Sequence, residues 1–152
     1  MTVLEKYFHE TYAKFKLAFY QKIFNRIGER ETSLTTVETF CMETIYALNR
    51  PSIQEFANFI GLSSPNAAYK VQSLIKKGYI NKVQSEEDKR EYYLEVTDRF
   101  LEYYDMTYSY TMKVVRRMEK RFTPEELEKL EYFLEIISNE LMSEIVINPD
   151  KK

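Results

Sequence analysis

The run from Ser63 to Gly78 carries Lys70, Lys76 and Lys77 and not one Asp or Glu. Placed at 100° per residue, Ala67, Val71, Leu74 and Ile75 fall on one side of a helix. Pro65, Asn66, Tyr69, Gln72, Ser73 and Lys76 fall on the other, with Lys70 and Lys77 on the flank. Such a face suits a polyanion: Ser63, Ser64, Lys70, Lys76 and Lys77 can contact phosphates. Asn66 and Gln72 can each pair with an adenine edge, Tyr69 can touch a thymine methyl or a phosphate, and Ser73 can reach a base. A second group, Asp88-Lys89-Arg90, lies further on. The Arg90 guanidinium has the chemistry to enter a narrow minor groove, with Asp88 two residues earlier to hold it. Lysines often do no more than solvate a helix, and Glu86 and Glu87 beside the second group repel phosphate. The distribution of charge favours contact: residues 62–90 sum to +3, from six bases and three acids, within a chain of net charge −2.

Several local signals position these groups. Ser52-Ile53-Gln54-Glu55 is a capping box that opens a short amphipathic helix through Ile53, Phe56, Ala57 and Ile60, closed by Gly61. Ala57 is small where two helices must approach, and Ser63 caps the next helix with Pro65 in its first turn. Tyr79–Gln84 and Glu91–Val96 alternate as strands on either side of the tip Ser85–Arg90. Helix, tight turn, helix and hairpin make a compact reading unit. Upstream, Thr35-Thr36-Val37-Glu38 is another capping box, opening a helix through Phe40, Cys41, Ile45 and Leu48.

Both ends of the chain read as helical arms. From about Thr2 to Ile27, Leu4, Phe8, Tyr12, Phe15, Phe19, Ile23 and Ile27 recur at three and four, and a second apolar flank runs beside them. Gly28 ends this helix and Glu29–Leu34 reads as a loop. Thr97 caps a helix over about Asp98–Arg121, and Thr123-Pro124-Glu125-Glu126 opens a last one through Leu127, Leu130, Leu134, Ile137, Leu141 and Ile145. Helices apolar on more than one side are poorly served within a small monomer, and a twofold dimer is the commonest way to cover them.

Composition narrows the function classes. Hydrophobic content of 44% with 30% charged residues belongs to a folded chain of 152 residues. One cysteine, Cys41, leaves no internal disulfide or multi-thiolate zinc site, and Cys41 reads as an inert core residue. One histidine, His9, removes most acid–base and metal constellations, and no phosphate-cradling Gly loop is present. The expectation is no enzyme, no cofactor and no metal site. Without a long apolar run or a signal-peptide core, the expected location is cytoplasmic, away from the membrane.

The order and spacing of Ala57-x-x-x-Gly61-Leu62-Ser63, Leu74-x-x-x-Gly78-Tyr79-Ile80, Asp88-Lys89-Arg90 and Leu94-x-Val96-Thr97 resemble the multiple antibiotic resistance regulator (MarR) family over nearly the whole length. The resemblance implies Ser63–Lys77 as recognition helix and Asp88 with Arg90 as a wing-tip pair. It implies a homodimer on a pseudo-palindromic duplex site, usually repressing nearby genes and often released by a small molecule. Arg99-Phe100 stands where members often carry a Gly, and Pro65-Asn66-Ala67-Ala68 opens the recognition helix unusually.

The expected fold is therefore mainly α with a small β-hairpin wing: a winged helix-turn-helix plus N- and C-terminal dimerisation helices. Its divisions are an N-terminal dimerisation helix over 1–30, the DNA-binding region over 35–97 and C-terminal dimerisation helices over 98–147. The expected function is a sequence-specific, double-stranded DNA-binding transcriptional regulator. The competing reading is a winged-helix protein-interaction module without DNA binding. Phe15, Phe19, Tyr104 and Tyr108 are the candidate lining of a pocket between reading unit and arms, suited to a small aromatic or acyl effector.

Overall fold

A computed structural model describes residues 1–28 and 34–147, with side chains at 1–25 and 34–147. Of the expected loop Glu29–Leu34, residues 29–33 lie outside the described residues. The order is α1 (Val3–Gly28), α2 (Thr36–Ala47), α3 (Ile53–Ile60), α4 (Ser64–Lys76), β1 (Ile80–Gln84), β2 (Tyr92–Val96), α5 (Asp98–Arg121) and α6 (Pro124–Ile136). A mainly helical chain with one two-stranded hairpin is the fold class that the sequence predicts. The described residues form two compact units: one takes residues 1–25 and 105–146, the other 26–28 and 34–104 with 147.

In the second unit, local chemistry sets every helix start. Thr35 and Glu38 exchange reciprocal cap bonds on α2, as do Ser52 and Glu55 on α3. Gly61 closes α3 at φ +70°, a conformation that suits glycine although a Cβ there would meet open space. Ser63 caps α4 from outside, accepting from the Asn66 N–H. The amphipathic faces of α2, α3 and α4 then close on one core in which Met42, Ile45, Phe56, Val71, Leu74, Ile80, Leu94 and Phe100 are fully buried. Ala57 and Ala67 are buried within it, small enough for α3 and α4 to approach.

Strands β1 and β2 pair antiparallel, Ile80 with Val96 through Gln84 with Tyr92. Alternation directs Ile80 and Leu94 into the core. A third strand-like contact was not legible in the sequence. Ser52 bridges Tyr93, and the Leu94 N–H donates to the Pro51 carbonyl at 2.8 Å. Asn49 and Arg50, both at positive φ, turn the chain into that bridge, and Arg50 pairs with Glu95 at 2.7 Å.

The first unit contains α1 through Asn25, α5 from Asp105 and α6. Aromatic rings join α1 and α5: Phe15 meets Tyr110 edge-on with centroids 6.2 Å apart, and Phe19 lies 5.7 Å from Tyr108. Thr123 and Glu126 form the expected capping box on α6. The regular helix expected to run on past Ile137 instead ends at Ile136 and passes into a π-helical turn, Ile137–Leu141. The wider turn shifts the apolar positions beyond it off the Leu127–Leu134 stripe. No residue of α6 is buried, and Leu134 and Leu141 remain 53% and 68% exposed.

Candidate nucleic-acid interface

Helix α4 presents the face that the wheel predicts. Ala67, Val71 and Leu74 are buried, while Pro65, Asn66, Tyr69, Gln72 and Lys76 are exposed and Lys70 is half-buried. Tyr69 is 72% exposed. The leading end is tied to α3: the Ser64 hydroxyl donates to Gln54 Oε1 at 3.1 Å, and Gln54 in turn donates to Asn58. Ser63 and Ser64 thus sit at the helix N-terminus, where free backbone N–H groups favour anions.

Two of the expected contact residues turn elsewhere. Ser73 donates to Glu38 Oε1 at 2.5 Å, and Lys77 pairs with Glu38 Oε2 at 2.7 Å. Glu38 is the cap-closing residue of α2 and is 5% exposed, so both of its oxygens require partners. The Thr35 N–H supplies a third bond, at 2.8 Å. Burial alone would raise this carboxyl, but the bonds from Lys77, Ser73 and Thr35 and the Lys77 charge bring it down to about 2. Ser73 and Lys77 therefore join α4 to α2 through Glu38.

The trailing end of α4 is held from the other side by residues that sequence reasoning missed. Arg99 Nη1 donates to the Lys77 carbonyl at 2.8 Å, and its guanidinium lies 4.6 Å over the Tyr79 ring. Thr97 donates its hydroxyl to the Gly78 carbonyl at 2.7 Å and accepts from the Phe100 N–H. Gly78 sits at φ +81°. These bonds satisfy carbonyls that a helix end leaves open.

At the hairpin tip, Arg90 Nε and Nη2 each donate to Asp88 at 3.1 Å, and the Arg90 N–H adds a bond of 3.0 Å. The Arg90 hydrogen bonds hold the Asp88 carboxyl below its ordinary range, and the same pairing raises Arg90. The Ser85 hydroxyl accepts from the Glu87 and Asp88 N–H groups, and Gln84 donates to the Lys89 carbonyl at 2.6 Å. The turn is thereby closed on its own backbone with Lys89 and Arg90 exposed. The acids at the tip divide by role, since Asp88 is consumed by Arg90 while Glu86 and Glu87 face solvent.

Of the four candidate pocket residues, Phe15, Phe19 and Tyr108 line a cleft of about 230 Å³ together with Tyr12, Lys16 and Thr111. Tyr104 does not join them. Its ring packs on Tyr46 at 4.5 Å and Phe100 at 5.8 Å within the second unit, because it lies on the side of α5 that faces α2. Cys41 is buried and its thiol is pushed up by that burial, which disfavours the reactive thiolate. Among the described residues no group of three or more His, Cys, Asp or Glu is arranged to hold a metal, and no helix is long and apolar enough to cross a membrane.

Comparison with known proteins agrees with this geometry. Residues 34–92, which span α2 to the start of β2, match the MarR family model. An uncharacterised HTH-type transcriptional regulator of Bacillus subtilis (strain 168), YkoM, is 26% identical over 101 residues, 66% of this chain and 66% of that protein. A MarR family protein from Bacillus stearothermophilus superposes with TM-score 0.64 at 14% identity, over 91% of this chain and 92% of that one. Streptococcus pneumoniae FabT, solved in complex with DNA, superposes with TM-score 0.61 at 16% identity, over 93% and 99%. At such identities the structural likeness is one of fold, and it extends over the arms as well as the reading unit. The chain thus resembles the MarR family through its match over residues 34–92, and it has the winged-helix fold of the solved MarR family protein from Bacillus stearothermophilus.

Proposed function

We propose that this protein is a sequence-specific regulator of transcription that binds double-stranded DNA as a homodimer, recognises a pseudo-palindromic operator and represses the adjacent gene. The observation that carries the reading is the acid-free outward face of α4, where Asn66, Tyr69, Gln72 and Lys76 stand exposed above a buried apolar side. Base contacts come from Asn66, Tyr69 and Gln72. Phosphate contacts come from Ser63, Ser64, Lys70 and Lys76, and Arg90, held by Asp88, enters the minor groove with Lys89 beside it. FabT supports the partner, since its structure was solved with DNA on the same fold.

Dimerisation is supported by the uncovered apolar face of the arms, from Leu4 and Phe8 on α1 to Leu134 on α6 and Leu141 in the π turn. In this reading residues 1–30 and 98–147 form the seam and 35–97 the reading region, and the protein works in the cytoplasm. Twofold symmetry then sets the half-sites about one helical turn, roughly 10 bp, apart. The cleft beside Phe15, Phe19 and Tyr108 fits a small aromatic or acyl effector that releases the DNA; Lys16 in its lining favours an acidic one.

Selection of bound duplexes from a random pool tests the whole reading. The expected product is an inverted repeat, bound with an affinity that falls steeply with salt. Tyr69→Ala and Arg90→Ala should each weaken binding to it. Wild-type affinity in both variants would overturn the assignment of these faces, and a pool that yields no duplex would favour a protein-interaction module.

A further inference from the structure

One carboxylate outside the DNA-facing surface holds a full turn of the recognition helix. Ser73 and Lys77 are four residues apart, so their side chains leave α4 on one side, one turn above the other. Glu38 receives both, Ser73 on Oε1 and Lys77 on Oε2. Its own position is fixed twice over, by the cap bond from the Thr35 N–H and by the burial of Cys41, Met42 and Ile45 on the same helix. A two-point grip on a rigid neighbour resists rotation of α4 about its axis, which the apolar contacts of Ala67, Val71 and Leu74 oppose less directionally.

Rotation is the coordinate to which base reading is most sensitive. Side-chain tips lie about 5–6 Å from a helix axis, so a turn of about 15° displaces them by roughly 1.4 Å. Hydrogen bonds to base edges tolerate a spread of only about 0.5 Å. Phosphate contacts by long lysines are far more forgiving, because a flexible stem can follow the backbone. Lys76 is exposed to the solvent and Lys77 is bound to Glu38, so the adjacent lysines do different work.

We propose that Glu38 is a positioning residue for sequence discrimination: through Ser73 and Lys77 it sets the rotation of α4, and with it the aim of Asn66, Tyr69 and Gln72 at the bases. The inference rests on the DNA-reading function proposed above. It further assigns Lys77 to this grip and removes it from the phosphate contacts.

The test measures affinity for the selected operator and for a random duplex of equal length, across a salt series, with thermal melts as a check on folding. Glu38→Gln keeps the side-chain volume and loses the charge that holds Lys77. The operator-to-random ratio is expected to fall about tenfold, the scale of one misaligned base contact. Affinity for the random duplex should hold or rise, because the released Lys77 gains a phosphate, and the salt slope should stay level or steepen. Ser73→Ala, which keeps the ion pair, should lower the ratio about threefold and covers the case in which Glu38→Gln fails to fold. Lys77→Met should leave the salt slope unchanged, whereas Lys76→Ala should reduce it by about one. A wild-type ratio in folded Glu38→Gln or Ser73→Ala, or a parallel loss on both duplexes in either of them, overturns the positioning role. A wild-type protein that does not discriminate between the duplexes overturns the DNA reading itself, so the two failures are distinct.

Discussion

The reading unit and the helical arms spend their apolar residues differently. In the reading unit, Met42, Phe56, Leu74, Ile80 and Phe100 are sealed from water by their own chain. In the arms the apolar positions are as regular in sequence, yet Leu4, Phe8, Leu134 and Leu141 remain largely exposed and α6 buries nothing fully. The first region closes a core of its own, and the second leaves a regular apolar face uncovered. Stability should accordingly be a property of the single chain in one region and of protein concentration in the other.

The sharpest way to break that contrast is a cavity. Phe56→Ala removes a fully buried ring from the reading unit and is expected to cost about 3–5 kcal/mol. Urea unfolding should show the same loss at low and high protein concentration; a loss that disappears at high concentration would place Phe56 in a subunit seam instead.

Glu38 comes next, and pH is its probe. Its carboxyl titrates at about 2 in the folded chain against an ordinary 4.5, so the folded state binds the proton less readily than the unfolded one. The resulting stability, about 3 kcal/mol, is fully present above pH 4.5 and drains away as pH falls from 4.5 towards 2. Acid unfolding of wild type and Glu38→Gln should converge at the low end of that window. Equal acid sensitivity of the two proteins across it would show that Glu38 is not tightly held.

A polar group on the arms should act through concentration. Leu134→Asp puts a charge on the uncovered face of α6 and is expected to weaken self-association by about 2–3 kcal/mol, the scale of one lost Leu burial with a charge added. Sedimentation should show monomer at concentrations where wild type is dimeric, with the spectroscopic signature of the reading unit retained. A dimer of wild-type strength would mean that this face is not the seam.

Sequence carried what is local and lost what is distant. The three capping boxes, Gly61 at the turn and the Asp88–Arg90 pair are made by residues two or three apart, and all appear as expected. Glu38 was legible as a cap, but its bonds to Ser73 and Lys77 span 35 and 39 residues. A helical wheel divides α4 into a buried and an open side, and it cannot tell that the sector between them meets a carboxylate on α2. Arg99 was read as a departure from the glycine of relatives; its reach to the Lys77 carbonyl, 22 residues back, depends on the hairpin returning α5 to the end of α4. Tyr104 and Tyr108 are one turn apart, and rings at that spacing can still be divided between two cores.

The smallest expected effect on folding is at the wing, and there the contrast between regions turns into one between folding and function. Arg90 and Asp88 are bonded to each other and to little else, at the exposed tip of a two-stranded hairpin. Surface pairs of this kind contribute little to stability, so Arg90→Ala should leave the melting temperature within about a degree or two. Its operator affinity should nonetheless fall about tenfold, because a guanidinium placed in a narrow minor groove is lost. Asp88→Ala separates aim from charge. It adds one net positive charge near the phosphates, which taken alone favours binding, and it frees the guanidinium from its bidentate partner. If pinning matters more than charge, Asp88→Ala binds the operator more weakly than wild type while binding a random duplex at least as well. Tighter binding to both duplexes would mean that the wing works as a cation and that its hydrogen-bonded geometry is incidental.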